Sequence, residues 1–529
     1  MRRNYERDIY KQLTEEIDRS EKLQKENRQL REENRELRKE VKKLNAKISD
    51  IEGTMEEKLS NYVETAVKQA VIPLLEELTK AHAEISRLKA IINKDSSNSS
   101  KPPSTNGFKS IPNSREKSGK SQGGQKGHKG YRMKLPENLD DLEEQGIVER
   151  RLIDYTGGEG EYISKFTVDI EMKVIITEHR FLEGNIPGTF NNEVSYGDNI
   201  KAQVLLLMNE GIIAHKRLSG IISGLTHDVV KISTGTMNKF KSDFADNLTK
   251  SRELEAIKQD LLNGEVMNTD DTSMRVLERI VYSEVPDKKE KKISYELAEK
   301  KSFRATLRTH SNEKSTLYTV NPKKDMDGVE RDGILSAYQG ILSHDHEAKF
   351  FNYGKDNSSC GGHLSRELKG LSDSYNCLWA TEMRKFILGM NEYKNEDLAK
   401  GSSCCDPEKL AGFEMEYDKL VAQGCEKLGQ MAGGEWGRKE FSVMLNRLAD
   451  HKNSYMLFIR NYKVPFTNNL AERDLRGQKT KEKVSGLFRS WKGIEDHAKI
   501  HSFMSTLKKR GKNLLHSIKQ VIRHEPVLT

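Results

Sequence analysis

Glu472 stands at the head of a segment, 464–490, whose charges are otherwise mostly basic. At about 3.6 residues per turn, positions i+4, i+7 and i+11 return to the face of residue i, and from Glu472 these are Arg476, Lys479 and Lys483. One acid heading a cationic stripe about three turns long suits a site that holds a divalent cation beside a polyanion. An exposed helix with an i,i+4 Glu–Arg pair, worth about 0.2–0.5 kcal/mol, gives the same string. Asp270 and Asp345 are the other candidate acids, each on what reads as a strand. Carboxylates converging from strands and a helix start can hold two Mg²⁺ ions roughly 3.5–4 Å apart, the arrangement that serves in-line displacement at a phosphodiester. Oxygen ligands suit Mg²⁺, with Mn²⁺ as a substitute, because the ion keeps several waters and completes its shell with substrate phosphates. With 81 acids in the chain such a triple is easily chosen, so its spacing alone discriminates nothing.

The elements that must position these acids are legible in outline. Asn468 and Asn469 are expected to cap the Glu472 helix, their side-chain oxygens accepting from its first free N–H groups. After Gly264, GEVMNTDDTSMRVLERIVY reads as a strand carrying Asp270 and Asp271, which a period of two puts on opposite faces. In 302–309, Phe303, Ala305, Leu307 and Thr309 alternate with polar neighbours, and 315–320 follow after a turn, which predicts a hairpin added to the first strand. A short helix through Val329, Leu335 and Tyr338 leads to a further strand, 340–345, ending on Asp345. Three strands, a helix and then a strand beside the first is the order of ribonuclease H-like folds. Residues from about 360 to 460 read as mainly helical and carry all five cysteines, 360, 377, 404, 405 and 425.

Upstream of this α/β core the chain changes character. Leu23, Leu30, Leu37, Leu44 and Ile51 recur every seven residues, with Asn27, Asn34, Val41 and Ile48 between them. Leucine at d with asparagine at a is the pattern of a parallel two-stranded coiled coil, so self-association is expected over 1–94, where Leu74, Leu78, Ala81, Ile85, Leu88 and Ile92 form a second seam. Residues 95–136 read as a flexible basic linker, too poor in apolar content to order itself. In 137–262, residues 215–248 offer two helices and a turn, either a helix-turn-helix or a plain helical hairpin, with Ile221, Ile222, Leu225 and Val229 as its expected core and Lys239 and Lys241 on the second helix.

Bulk properties narrow the partners. At 529 residues the chain needs two to four domains, divided here as 1–94, 95–136, 137–262, 263–376, a helical insertion at 377–455, and 456–529. The net charge of +8 hides clusters: nine basic residues against two acids over 95–135, and twelve against four over 473–512. Such patches favour nucleic acid or an anionic membrane. No apolar run approaches the roughly 18–20 residues of a membrane span, the N-terminus lacks a signal-peptide core, and the cysteines show no paired spacing, all of which points to an intracellular protein.

Several strings carry more weight than spacing. TDDTSMRV (269–276), ILSHDHEAKFFNY (341–353), CGGHLSREL (360–368) and VPFTNNLAERDLRGQKTKEKVSGLFRS (464–490) resemble, in order, blocks of the IS66-family transposases. SSNSSKPPS (96–104) and GGQKGHKG (123–130) resemble that family's linker block. The resemblance spans about residue 95 to the C-terminus. It implies a Mg²⁺-dependent DDE transposase with a ribonuclease H-like core and a helical insertion, its triad on Asp270, Asp345 and Glu472. It further implies a bacterial, cytoplasmic, nucleoid-associated protein that acts on element ends and target DNA, with accessory proteins from the same element. Two departures stand out. The family usually shows Asp-Glu-Thr where this chain has Asp270-Asp271-Thr272, and the catalytic role is expected to stay with Asp270. The family's paired zinc cysteines have no counterpart in 133–262, so no zinc ribbon is expected.

Arg473, Arg476, Lys479, Lys483, Arg489 and Lys492 are then expected to hold DNA phosphates, with Thr467 to Asn469 aiming Glu472. A His/Asp metal site around His344, Asp345, His346 and His363 is disfavoured, since a strand puts His344 and His346 opposite Asp345, although His346 can approach from the following turn. Cys360 and Cys377 are expected to pack in the core. The rival functions are a structure-specific DNA nuclease on the same fold and a non-catalytic DNA-binding coiled-coil protein.

Overall fold

The computed structural model describes residues 2–52, 68, 72, 74–81, 84–85, 87–88, 92, 133–155, 161, 163–182, 187, 192–277, 303–432 and 437–528. The basic linker up to residue 132, the strings matched at 96–104 and 123–130, and the tail of the first strand beyond Leu277 lie outside the described residues.

Helix α1 (Arg2–Glu52) carries the heptad seam, and Leu23, Leu30, Leu37 and Leu44 are half-buried along it, with Asn34 buried. The second seam covers it from within the same chain. Leu30, Glu33, Leu37 and Glu40 share a groove with Glu77, Ala81 and Glu84, and Arg87 lies within reach of the Glu26 charge. Low numbers therefore face high ones, and the two segments run antiparallel. Asn27 and Asn34 donate to their own helix, at Leu23 O (3.2 Å) and Leu30 O (2.9 Å).

After α2 (Leu139–Glu144) the described residues 163–182 form neither helix nor strand. Four helices follow, α3 (Asp198–Asn209), α4 (His215–Leu225), α5 (Thr234–Lys250) and α6 (Glu253–Leu262). Ser233 caps α5 by accepting the Thr236 N–H. The core expected for the α4–α5 hairpin is corrected. Ile222 is buried, but Ile221, Leu225 and Val229 stay 40%, 47% and 60% exposed. What α5 buries instead is Met237, Phe240, Phe244 and Leu248, against residues of the two C-terminal helices, Trp491–Lys509 and Leu514–Ile522. Lys241 turns the same way and donates to Gly493 O (2.8 Å), while Lys239 is exposed.

The sheet has five strands, β1 (Val266–Val276), β2 (Phe303–Ser311), β3 (Thr316–Asn321), β4 (Ile341–His344) and β5 (Asp356–Ser359), in the order β3-β2-β1-β4-β5. β2 and β3 extend β1 antiparallel, and β4 and β5 run parallel on its other side. β2 was expected to show one polar face, yet Ala305 to Ser311 are all buried. Helices cover both sides of it. Ile257 and Leu261 of α6 and Val329 of α7 (Met326–Asp332) pack with Met267, Leu317 and Leu342 on one side. Leu475 of α13 (Asn469–Ser485) and Trp491, Ile494 and Ala498 of α14 (Trp491–Lys509) pack with Met274, Val276, Ala305, Leu307 and Tyr318 on the other.

An edge strand exposes unpaired backbone groups that invite foreign pairing. Here α14 covers β3 with hydroxyls: Ser502 Oγ accepts the Tyr318 N–H (2.8 Å), and Thr506 Oγ1 accepts the Thr316 N–H (3.0 Å). Between β5 and α13 come α8 (Gly361–Tyr375), α9 (Leu378–Ala399), α10 (Pro407–Gln430), α11 (Arg438–Asp450) and α12 (Lys452–Arg460), which share one core including Trp379, Met383, Tyr417, Phe441 and Tyr455. The chain closes with α15 (Leu514–Ile522).

Candidate active site

The alternation of β1 separates two adjacent acids into opposite environments. Even-numbered Asn268, Asp270, Met274 and Val276 share the face that meets α13, and odd-numbered Met267 and Asp271 share the other. Asp271 is fully compensated. Its side chain is 2% exposed and lies 2.6 Å from Lys349 Nζ, 3.1 Å from Lys324 Nζ and 3.7 Å from Arg308 Nη2. Arg308 in turn pairs with Asp332, and Lys349 with Glu347.

Asp270 has no ion-pair partner among the described residues. Burial, then the charge of Asp345, hold its carboxyl well above the usual carboxylate range, with Asp271 and Glu472 adding and the Asp271 N–H (2.8 Å) offsetting part. Asp345 follows the last residue of β4, and its Oδ1 accepts the Glu347 N–H (3.2 Å). Burial first, then Glu347, push it up to about 6. Glu472 sits in the first turn of α13.

What aims Glu472 is Asn468, and not by capping. Its side chain makes no bond to the N–H groups of α13. Its Nδ2 donates to Thr269 O (2.8 Å) and its Oδ1 accepts from Asn268 Nδ2 (3.0 Å), while its backbone N–H points to Cys360 Sγ (3.2 Å). The start of α13 is thereby tied to the strand residues just before Asp270. The Cys360 N–H donates to His344 O (2.9 Å) and the Gly361 N–H to Phe466 O (2.8 Å), which joins the end of β4 and the start of α8 to the same turn. Gly361 is required there, because a Cβ would sit 2.2 Å from the Phe466 ring. Asn468→Ala would orphan the Asn268 amide and the Thr269 carbonyl in a dry setting. It should cost about 2–4 kcal/mol of stability, read by denaturant melts, and unchanged melts would show that the two contacts hold nothing.

The six basic residues divide. Arg473, Arg476, Lys479, Lys483 and Arg489 are exposed and form no ion pair among the described residues. Lys492 is held by Asp246 (3.2 Å) and Asp496 (3.0 Å). Asp474, two residues past Glu472, faces inward to Lys509 (2.8 Å), Ser311 (2.6 Å) and Thr316 (2.9 Å). Among the histidines, burial lowers His344 to about 4, and its Nε2 meets Asn357 Oδ1 (3.0 Å). His346 is engaged by the Tyr455 hydroxyl (3.0 Å).

Sequence reasoning placed Asn468 in the turn that aims Glu472 but missed three features: its bonds to Asn268 and Thr269 in place of a cap, the cation cage of Asp271, and the closeness of Cys360 and His363 to Glu472. One signal was available for the last, the Cys-x-x-His spacing that puts both residues on one side of a helix start.

A family model described as Transposase IS66 family matches residues 193–496, a span that includes Asp270, Asp345 and Glu472. A second, described as a family of unknown function (DUF6444), matches residues 12–134. No curated protein matches the chain.

Proposed function

The chain belongs to the IS66 transposase family, and from that premise we propose that it cuts the ends of an insertion sequence and joins the freed 3′-hydroxyls to target DNA, with Asp270, Asp345 and Glu472 as its catalytic carboxylates. The observation that carries this reading is Asp270 itself, buried without an ion-pair partner among the described residues, its carboxyl held well above the usual range by burial, then by Asp345, with Glu472 contributing least. The strand order and directions support a ribonuclease H-like core. Among the described residues no helix is long and apolar enough to cross a membrane.

By donor type the set suits a hard divalent cation, although the three carboxylates do not gather within 4.8 Å of one another as Cys360, His363 and Glu472 do. All three groups offer oxygen, and a cation would relieve a repulsion that the surrounding protein leaves standing. Mg²⁺, or Mn²⁺ in its place, supplies when bound the charge that steadies the attacking and leaving oxygens. The chain's own residues position that chemistry. Asn468 sets Glu472 against β1, and Arg473, Arg476, Lys479, Lys483 and Arg489 hold backbone phosphates along α13 and just beyond it. In cleavage, water attacks phosphorus and the bond to the 3′-oxygen breaks. In joining, that 3′-oxygen attacks a target phosphodiester and displaces the target's own 3′-oxygen. Holding two ends together needs at least two protomers, and self-association through the helices of 1–94 is the pairing we assign to them.

The test is a strand-transfer assay with pre-cleaved ends, target DNA and Mg²⁺. Joined product is the expected result; cleavage without joining would make the protein a nuclease. The triple variant Arg476→Ala, Lys479→Ala and Lys483→Ala should weaken binding to all DNA alike and flatten the plot of log affinity against log salt by about 2–3. A slope equal to that of the unaltered protein would take these residues off the DNA track.

A further inference from the structure

Cys360, His363 and Glu472 each place a ligand atom within 4.8 Å of the other two. Two of the three are not oxygen donors, so this cluster differs in kind from the carboxylate triad. His363 Nδ1 lies 3.6 Å from Glu472 Oε1, close to the separation of about 3.3–3.6 Å that ligands of one tetrahedral Zn²⁺ keep. That nitrogen is buried and has no hydrogen-bond partner among the described residues. A buried polar atom left so is costly unless something else occupies its lone pair or takes its proton. Cys360 is 2% exposed and stands at the start of α8, where the backbone N–H groups of Asn468, His363 and Gly362 are directed at its sulfur. Burial, with the Glu472 charge adding, holds the thiol above its ordinary value and these donors offset only part of that, so the thiolate that a metal ligand must be forms with the bound cation.

We propose that Cys360, His363 and Glu472 form a second metal site, for a thiophilic divalent ion such as Zn²⁺, which shares Glu472 with the carboxylate triad. Thiolate and imidazole select against Mg²⁺ and for Zn²⁺ or Co²⁺, so the two sites discriminate by ligand softness. Three protein ligands leave a fourth position open to water or a phosphate oxygen. The Asn468 N–H, bonded to the sulfur, links this site to the contact that aims Glu472. An ion held by Cys360 and His363 draws Glu472 toward α8, and micromolar Zn²⁺ then slows the Mg²⁺-dependent reaction. That consequence rests on the role proposed for Glu472; the metal binding does not.

The full-length protein, stripped of metal, would be titrated with Co²⁺ as a spectroscopic substitute for Zn²⁺. One equivalent should produce a near-ultraviolet thiolate-to-cobalt charge-transfer band, displaced by Zn²⁺. The band should vanish in Cys360→Ser and need about tenfold more Co²⁺ or greater in His363→Gln, with circular dichroism showing both variants folded. Asp270→Asn should keep the band while losing strand transfer, so that failure of the catalytic reading and failure of this one are told apart. No band at stoichiometric Co²⁺, or a band that survives Cys360→Ser by arising at exposed Cys404 or Cys425, overturns the site.

Discussion

Asp270→Asn should lower end cleavage and strand joining by at least about a thousandfold, equivalent to about 4 kcal/mol of transition-state stabilisation, with DNA affinity changed by less than about twofold. The substitution keeps shape and removes the ionisable group from a face of β1 where it has no ion-pair partner among the described residues. On the proposed reading DNA affinity comes from the exposed cations of α13, which this substitution leaves in place. Activity within about tenfold of the unaltered protein would take Asp270 out of the chemistry.

Asp345 gives the same argument a pH signature. Its folded value of about 6 lies above the ordinary 3.8. The folded chain therefore binds this proton more tightly than the unfolded chain does. Metal-free stability contributed by the protonated group is present at low pH, is lost between about pH 4 and 6, and changes no further above that window. Asp345→Asn should then be more stable than the parent at neutral pH by about 1–3 kcal/mol, with the gap closing near pH 4. Mg²⁺ should raise the parent's melting temperature and leave the variant's nearly where it was. Melting curves in chelator and in Mg²⁺ at several pH values decide it, and a parent that gains stability between pH 4 and 6 relative to the variant would contradict the sign.

Asp271→Asn should have the opposite effect, destabilising the fold by about 3–5 kcal/mol. One position along the same strand, this carboxylate meets Lys349, Lys324 and the buried Arg308, and its loss leaves three cations to share Asp332 and Glu347, one acid too few. Asp271→Glu keeps the charge and should recover much of the loss, whereas Asp270→Asn in the absence of metal should be neutral or stabilising. Denaturant midpoints of the three variants make the comparison, and a midpoint for Asp271→Asn equal to that of the parent would empty the cage of its energetic meaning.

How the two acids differ illustrates what was legible beforehand. A period of two along 266–276 is local, so the opposite facing of Asp270 and Asp271 could be read from the string alone. The same holds for the cationic stripe of α13, the seam of α1 and the helical run after β5, since each repeats within a few turns. Which acid is compensated was not legible, because Lys349 is 78 positions from Asp271. Nor was the work of Asn468, whose bond to Asn268 spans 200 positions and displaces the capping role that local rules favour. Periodicity records which face a residue occupies; only tertiary packing decides what stands across from that face. Charge compensation, burial and ligand geometry depend on the partner, and so the balance of charge around Asp270, the covering of α1 by its own chain and the meeting of Cys360 and His363 with Glu472 belong to the folded molecule.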